Sequence, residues 1–275
     1  GVGDALHCMA ALAWAEGNLD ECERMANEGL LVAQGQHLAD RRAELLLALT
    51  AAQATRGHLA SATKGLTEAE GIFRELRMKR PRCLALANIA ELLTWQGEPL
   101  QARQRAHVAV QLASELDYKL GRTAATRAMA VAALDLGLYD EAKMGLHEAL
   151  DLAKEINLPE EILACLVGLA QLALEHHDLS GACVHAAAGL EVAVKRDPER
   201  YLPLLRSHLA NALAHTDPQD ALTLATAAQN AIPELPIPRR TQVQLALAYA
   251  CVSLGKFETA SAMGRHVLQT AGSRG

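Results

Sequence analysis

Glu175-His176-His177-Asp178 is the densest run of metal-capable side chains in this sequence. Two imidazoles and two carboxylates are the right donors for a divalent transition metal. Ligands must converge, however, and neighbours in sequence at a helix end splay apart. The run is better read as a solvated turn in which Asp178 or Ser180 caps the next helix. His7-Cys8 fails in the same way. The six cysteines (Cys8, Cys22, Cys83, Cys165, Cys183 and Cys251) include no Cys-x-x-Cys pair. Several, such as Cys22, sit where the repeat wants a small apolar residue, and free thiols used in the core fit a reducing cytoplasm. No phosphate-binding loop, nucleophile elbow, His-Glu-x-x-His or dinucleotide fingerprint occurs. The expectation is a non-enzyme with no metal and no cofactor.

The remaining polar residues form a group only once the chain is folded onto its own period. Gly17–Cys22 (GNLDEC), Gly57–Ala62 (GHLASA), Gly97–Ala102 (GEPLQA), Gly137–Ala142 (GLYDEA) and His177–Ala182 (HDLSGA) recur every 40 residues. Looser copies end at Ala221 and Ala260, one residue short of register. A fixed period of this size means an array in which each unit stacks on its neighbours. The residues are 51% hydrophobic but only 3% aromatic, so the apolar content is mostly Ala and Leu, both strong helix formers. The chain is therefore read as all-α, each unit a pair of antiparallel helices. In the fourth unit the helices are expected at about Arg122–Leu136 and Tyr139–Ile156, with Gly137 ending the first. Pro159 suits the first turn of the next helix, and Pro81 marks an analogous start.

Small residues recur at three aligned places. Ala10, Ala90, Ala130, Ala170 and Ala248 lie mid-way along first helices. Ala62, Ala102, Ala142, Ala182, Ala221 and Ala260 open second helices, and Gly29, Ala69, Ala109, Ala149, Gly189 and Ala228 follow seven residues later. Short side chains let helices cross closely. Leu19, Leu59, Tyr139, Leu179 and Phe257 are expected to fill the space beside each corner.

These three small-residue sites, with Leu136-Gly137-Leu138-Tyr139-Asp140-Glu141-Ala142 and Ala149-Leu150, resemble the tetratricopeptide repeat (TPR) signature along the whole chain. The resemblance implies a right-handed α-α superhelix, a TPR-like solenoid of about seven helix-turn-helix repeats, with first helices lining a concave face. The usual unit has about 34 residues. The longer one here is expected to have longer second helices and loops, and lacks the early Trp; Trp14 and Trp95 lie late in their helices. The 40-residue form is similar to the sensor arrays of large bacterial ATPase-type transcriptional or kinase regulators.

Aligned on the period, His7, Arg127 and Arg206 occupy one position and Asn88 the next. Glu91, Gln171 and Tyr249 share a position one turn on, and Gln242 lies near the start of its helix. Together they are read as a polar stripe on the inner surface, where Arg127 and Arg206 can fork onto carboxylate or phosphate. Only Asn88 and Arg127 approximate the family's carboxylate clamp. Leu47, Ala48, Ala51, Ala87, Val131 and Val167 are apolar inner positions that suit a helical or apolar peptide.

The expected function is a non-catalytic protein- or peptide-binding module, the sensor or scaffold part of a bacterial signalling or transcriptional regulator. Alternatives are a small-molecule-sensing array, or self-association through uncapped ends at which Gly264 and Val267 meet another protomer. Expected partners are a protein or peptide segment in the groove, flanking domains of the same chain, or a second copy. A net charge of −6 argues against nucleic acid, and no apolar run reaches the length of a membrane span. Arg74, Arg77, Lys79, Arg80 and Arg82 form one basic cluster, read chiefly as a solvated loop. The proline-rich segment Ile232–Arg240 reads as a stiff link. Residues 1–275 are expected to form one repeat domain excised from a longer protein, its units ending near 38, 80, 120, 159, 199, 238 and 271.

Overall fold

A computed structural model of the chain describes residues 1–196, 201–231 and 237–272. Among these residues the regular structure is all helix: α1 (Val2–Ala15), α2 (Leu19–Gly35), α3 (Ala39–Thr55), α4 (Leu59–Glu75), α5 (Lys79–Trp95), α6 (Pro99–Glu115), α7 (Lys119–Asp135), α8 (Tyr139–Glu155), α9 (Pro159–Glu175), α10 (Leu179–Arg196), α11 (Leu202–Leu213), α12 (Pro218–Asn230), α13 (Ile237–Ser253) and α14 (Phe257–Gly272). The fold is an all-α solenoid of TPR-like helical pairs. Of the link expected over Ile232–Arg240, residues 232–236 lie outside the described residues, as does the unit boundary near 199, while residues 237–240 are already the first turn of α13 and not a link.

The unit is more regular than its sequence. Helices begin at 19, 39, 59, 79, 99, 119, 139, 159 and 179, a step of 20 residues. From α2 to α9 every helix has 17 residues. The extra length of the unit is therefore shared by both helices and is absent from the loops, contrary to expectation. α7 begins three residues earlier than its sequence suggests, and α5 begins at Lys79 rather than at Pro81; Pro159 opens α9 as expected.

Each three-residue turn is the same hydrogen-bonded device. The Leu138 amide donates to the Ala133 carbonyl (2.9 Å) and the Gly137 amide to the Leu134 carbonyl (2.9 Å). The Met78 amide donates in the same way to the Phe73 carbonyl (2.8 Å). This is a Schellman closure, and it needs a left-handed residue. Glycine supplies it at 17, 57, 97, 137 and 255, but His37, Arg77, Asp117, Asn157 and His177 supply it elsewhere, with φ between 47° and 57°.

Packing divides the chain into two compact units, Gly1–Leu152 and Ala153–Gly275. The first is built on Ala54, Leu66, Ile89, Leu93, Ala106 and Ala128, with further clusters around Phe73 and Ala125. The second has Leu163, Ala193 and Leu205 at its start and Ala210, Ala225, Leu247 and Ala250 at its end. The small residues do the job their alignment suggests. A methyl group on Gly29 would lie 2.6 Å from Leu45, and one on Gly189 would lie 2.5 Å from Leu205. Ala248 departs from the pattern, since it is half-buried rather than enclosed. So does Phe257, which is 67% exposed and fills no corner.

Candidate functional site

In the first compact unit three of the four aligned polar residues have ion-pair partners, two of them each other. His7 Nδ1 on α1 lies 3.9 Å from Glu44 on α3. Glu44 also takes an ion pair from Arg41, whose other contact is Asp4 at 2.6 Å. Arg127 on α7 reaches Glu91 on α5 at 3.4 Å, and both are at least half-buried in side-chain terms. Asn88 stands exposed on α5, one turn before Glu91. The structure thus joins Glu91 to Arg127 and places His7 with Glu44 on the first helices.

The basic cluster is also consumed locally. Arg82 Nε sits 2.7 Å from the Glu70 carboxylate, which is almost fully buried, and Arg74 approaches its other oxygen at 3.6 Å. Lys79 pairs with Glu115 at 3.6 Å. The Arg80 guanidinium lies over the Tyr118 ring, 5.3 Å from its centroid. Arg77 occupies the left-handed turn position.

The second compact unit is different. Gln171 on α9, Arg206 on α11 and Gln242 on α13 are half-buried, and Arg206 has no ion-pair partner among the described residues. Tyr249 on α13 hydrogen-bonds through its Oη to His215 Nε2 (2.5 Å), the rings edge-on at 5.6 Å. Tyr249 also lines an open depression of about 720 Å³. Leu174 of α9, Leu179 of α10, Leu245 and Val252 of α13 and Phe257 of α14 form its apolar walls. Asn211, His177, Ser261 and the Tyr249 hydroxyl are its polar lining; no carboxylate, lysine or arginine is among the lining residues, and Arg265 donates to Ser261 Oγ (2.7 Å) at its edge. Leu245, Tyr249, Val252 and Phe257 are 49%, 40%, 45% and 67% exposed, an apolar surface left open to solvent.

Most of this depression escapes a reading of motifs. Tyr249 belongs to the expected stripe, but Leu245 looks like one more core leucine until it is aligned with His7 and Arg127. Leu205 meets Gly189 as Leu45 meets Gly29, so α11 keeps the 40-residue register. Arg206, expected at the same position as His7 and Arg127, therefore stands one residue before it. Asn211 carries a further signal, because in this register it stands at the position of Glu91 and Gln171. The run Glu175–Asp178 forms the turn between α9 and α10. Asp178 Oδ1 accepts from the Gly181 amide at 2.8 Å, and His177 holds the left-handed position. Among the described residues no three His, Cys, Asp or Glu side chains converge on a metal-sized site. The thiol of Cys83 donates to the Ala109 carbonyl (3.3 Å), and burial pushes its pKa up to about 11. That makes it a packing residue rather than a nucleophile. No described helix is long and apolar enough to cross a membrane.

No protein-family profile matches the sequence, and no curated protein matches it. Solved structures do. A Rap protein complexed with Competence and Sporulation Factor superposes with a TM-score of 0.79 at 15% identity, covering 98% of this chain and 74% of that one. NprR in complex with its cognate peptide NprX gives 0.67 at 15%, over 98% and 78%. The nearly identical TPR-like repeats of a kinesin light chain from Podosopora anserina give 0.54 at 16%, over 70% and 94%. The fold is TPR-like. At these identities the likeness speaks for architecture, and the TPR-like chain's own surfaces must carry the function.

Proposed function

We propose that this TPR-like chain is a non-catalytic peptide-binding module, serving as the sensor or scaffold part of a bacterial signalling or transcriptional regulator. The observation that carries the reading is the uncharged apolar depression of the second compact unit, with Leu245, Tyr249, Val252 and Phe257 open to solvent. Its volume falls within the range of roughly 300–1,000 Å³ typical of ligand sites. Apolar walls of this kind take a leucine-, isoleucine- or phenylalanine-type anchor, while Asn211 and Ser261 offer partners for peptide amides. NprR is similar in fold and holds a cognate peptide, which supports the class of ligand.

The depression draws its walls from α9, α10, α13 and α14, with α11 contributing Asn211. A ligand there touches three successive helical pairs. Because each pair rests on its neighbours, such a ligand selects one arrangement of the pairs over others. Flanking domains of a longer chain would read that change.

The test is fluorescence polarisation against a library of short labelled peptides that vary in apolar content and charge. The native chain is compared with Leu245→Glu, whose position is already solvent-exposed, after equal helicity is checked. Saturable binding of apolar, uncharged-anchor peptides by the native chain, lost in Leu245→Glu, is the expected result. Equal binding by both proteins, or preference for acidic peptides, sinks the assignment to this depression.

A further inference from the structure

Tyr249 is held in the wall of the depression by a residue outside it. Its hydroxyl oxygen lies 2.5 Å from His215 Nε2, and the two rings meet edge-on at 89°, with centroids 5.6 Å apart. His215 itself does not line the depression. It comes from the turn between α11 and α12, 34 positions before Tyr249 in the chain.

The backbone on either side of His215 is tied down. Ala214 before it is buried in the cluster that also contains Ala250 and Cys251 of α13, the residues that follow Tyr249. The Thr216 and Asp217 amides after it both donate to the Leu213 carbonyl, at 3.0 and 2.8 Å. Asp217 then caps α12, its Oδ1 accepting from the Asp220 amide at 3.1 Å. The imidazole therefore reaches α13 from a fixed mount rather than from a loose loop.

A tyrosine turns about two side-chain bonds. A ligand that needs the ring in one place must immobilise it, which weakens affinity by about two- to tenfold. The edge-on contact and the hydrogen bond remove that loss before the ligand arrives. They also engage one side of the hydroxyl. Whichever partner donates, at least one lone pair of the Tyr249 oxygen remains to accept a hydrogen bond. We infer that His215 is a positioning residue for the peptide site, holding the Tyr249 ring as a wall for the apolar anchor and its oxygen as an acceptor for a backbone N–H beside that anchor. The inference rests on the peptide reading of the depression and narrows the ligand class. The anchor must stand next to an unsubstituted amide, which an N-methylated peptide lacks.

Fluorescence polarisation tests it with labelled, C-terminally amidated hexapeptides, each carrying one leucine, isoleucine or phenylalanine among serines and glycines. His215 is exposed, so its variants keep the fold, as circular dichroism verifies. His215→Ala is expected to weaken binding by about two- to tenfold. His215→Gln can still hydrogen-bond the hydroxyl and restores binding to within about twofold. Tyr249→Phe weakens binding at least as much as His215→Ala, and the double variant matches Tyr249→Phe, because His215 acts through that hydroxyl. Methylating one of the two amides that flank the anchor weakens binding to the native chain and makes no further difference to Tyr249→Phe. Native binding that His215→Ala leaves unchanged overturns this inference while the peptide site stands. So do losses from His215→Ala and Tyr249→Phe that simply add. A native chain that binds none of the peptides removes the peptide reading, and this inference with it.

Discussion

The Arg127 guanidinium lies 3.4 Å from the Glu91 carboxylate across the α5–α7 contact, with Arg127 only 12% exposed. Two groups of the aligned polar stripe thus satisfy each other inside the first compact unit. Removing one leaves the other half-desolvated. Arg127→Met is expected to cost about 1–3 kcal/mol in urea denaturation, and the Glu91→Gln/Arg127→Met double variant less than the sum of the single changes. Strict additivity would show that the pair does not interact.

A sharper loss is expected at Glu70. Its carboxylate is 7% exposed and held by Arg82 at 2.7 Å, with Arg74 more distant and mostly exposed. Arg82→Leu leaves a buried charge with weak compensation and should cost about 3 kcal/mol or more. Combining it with Glu70→Leu should recover much of that stability, because an apolar pair removes the uncompensated charge. A double variant no more stable than Arg82→Leu would count against this account.

The turns offer a test of opposite signs. Asp117 holds φ at 47° and Arg77 at 57°, where side chains other than glycine are strained. Asp117→Gly and Arg77→Gly should each stabilise by a few tenths to about 1 kcal/mol, the relief exceeding the added freedom of the unfolded chain. Gly97 has φ of 79° and empty space where its Cβ would sit. Gly97→Ala should therefore cost about 1 kcal/mol through the backbone alone. Thermal unfolding of the three variants reads both directions.

Acid should act through His208. The ring is buried, its Nε2 meets no hydrogen-bond partner, and burial first, then the Arg239 charge, pushes its pKa down to about 4. Folding holds it neutral, while the unfolded chain takes up the proton near its ordinary value of 6.5. The contribution is therefore fully present above about pH 6.5 and is lost as pH falls towards 4, by roughly 3 kcal/mol in all. His208→Leu should flatten stability across this window relative to the native chain. Parallel curves would show that another group titrates.

Much of the fold was legible because glycine and alanine mark it. Gly17, Gly57, Gly97 and Gly137 announced the corners within the pairs, and Ala62, Ala102 and Ala142 announced the crossings. The turns between pairs were harder to see, since His37, Arg77, Asp117 and Asn157 reach the left-handed region without the residue that favours it. This is also why the equal division of each unit into two helices was missed. The candidate site was legible only in part. Tyr249 stood out as a polar aromatic, but the exposure of Leu245 and Phe257 depends on how neighbouring pairs leave them uncovered. Pair partners such as Glu44 for His7 and Glu91 for Arg127 come from adjacent pairs about 36–37 positions apart, a distance that local periodicity does not report.

The even 20-residue rhythm of helix starts from α2 to α10 also bears on how the chain reaches its structure. The principal helix contacts join elements that are next to one another or once removed in the chain. Among these contacts no pair has to await a partner from the distant end, and the closing entropy of each is low. During synthesis a helical pair has its neighbour's surface to settle on soon after it leaves the ribosome. Assembly can run in the direction of translation, each helix settling on the one or two before it.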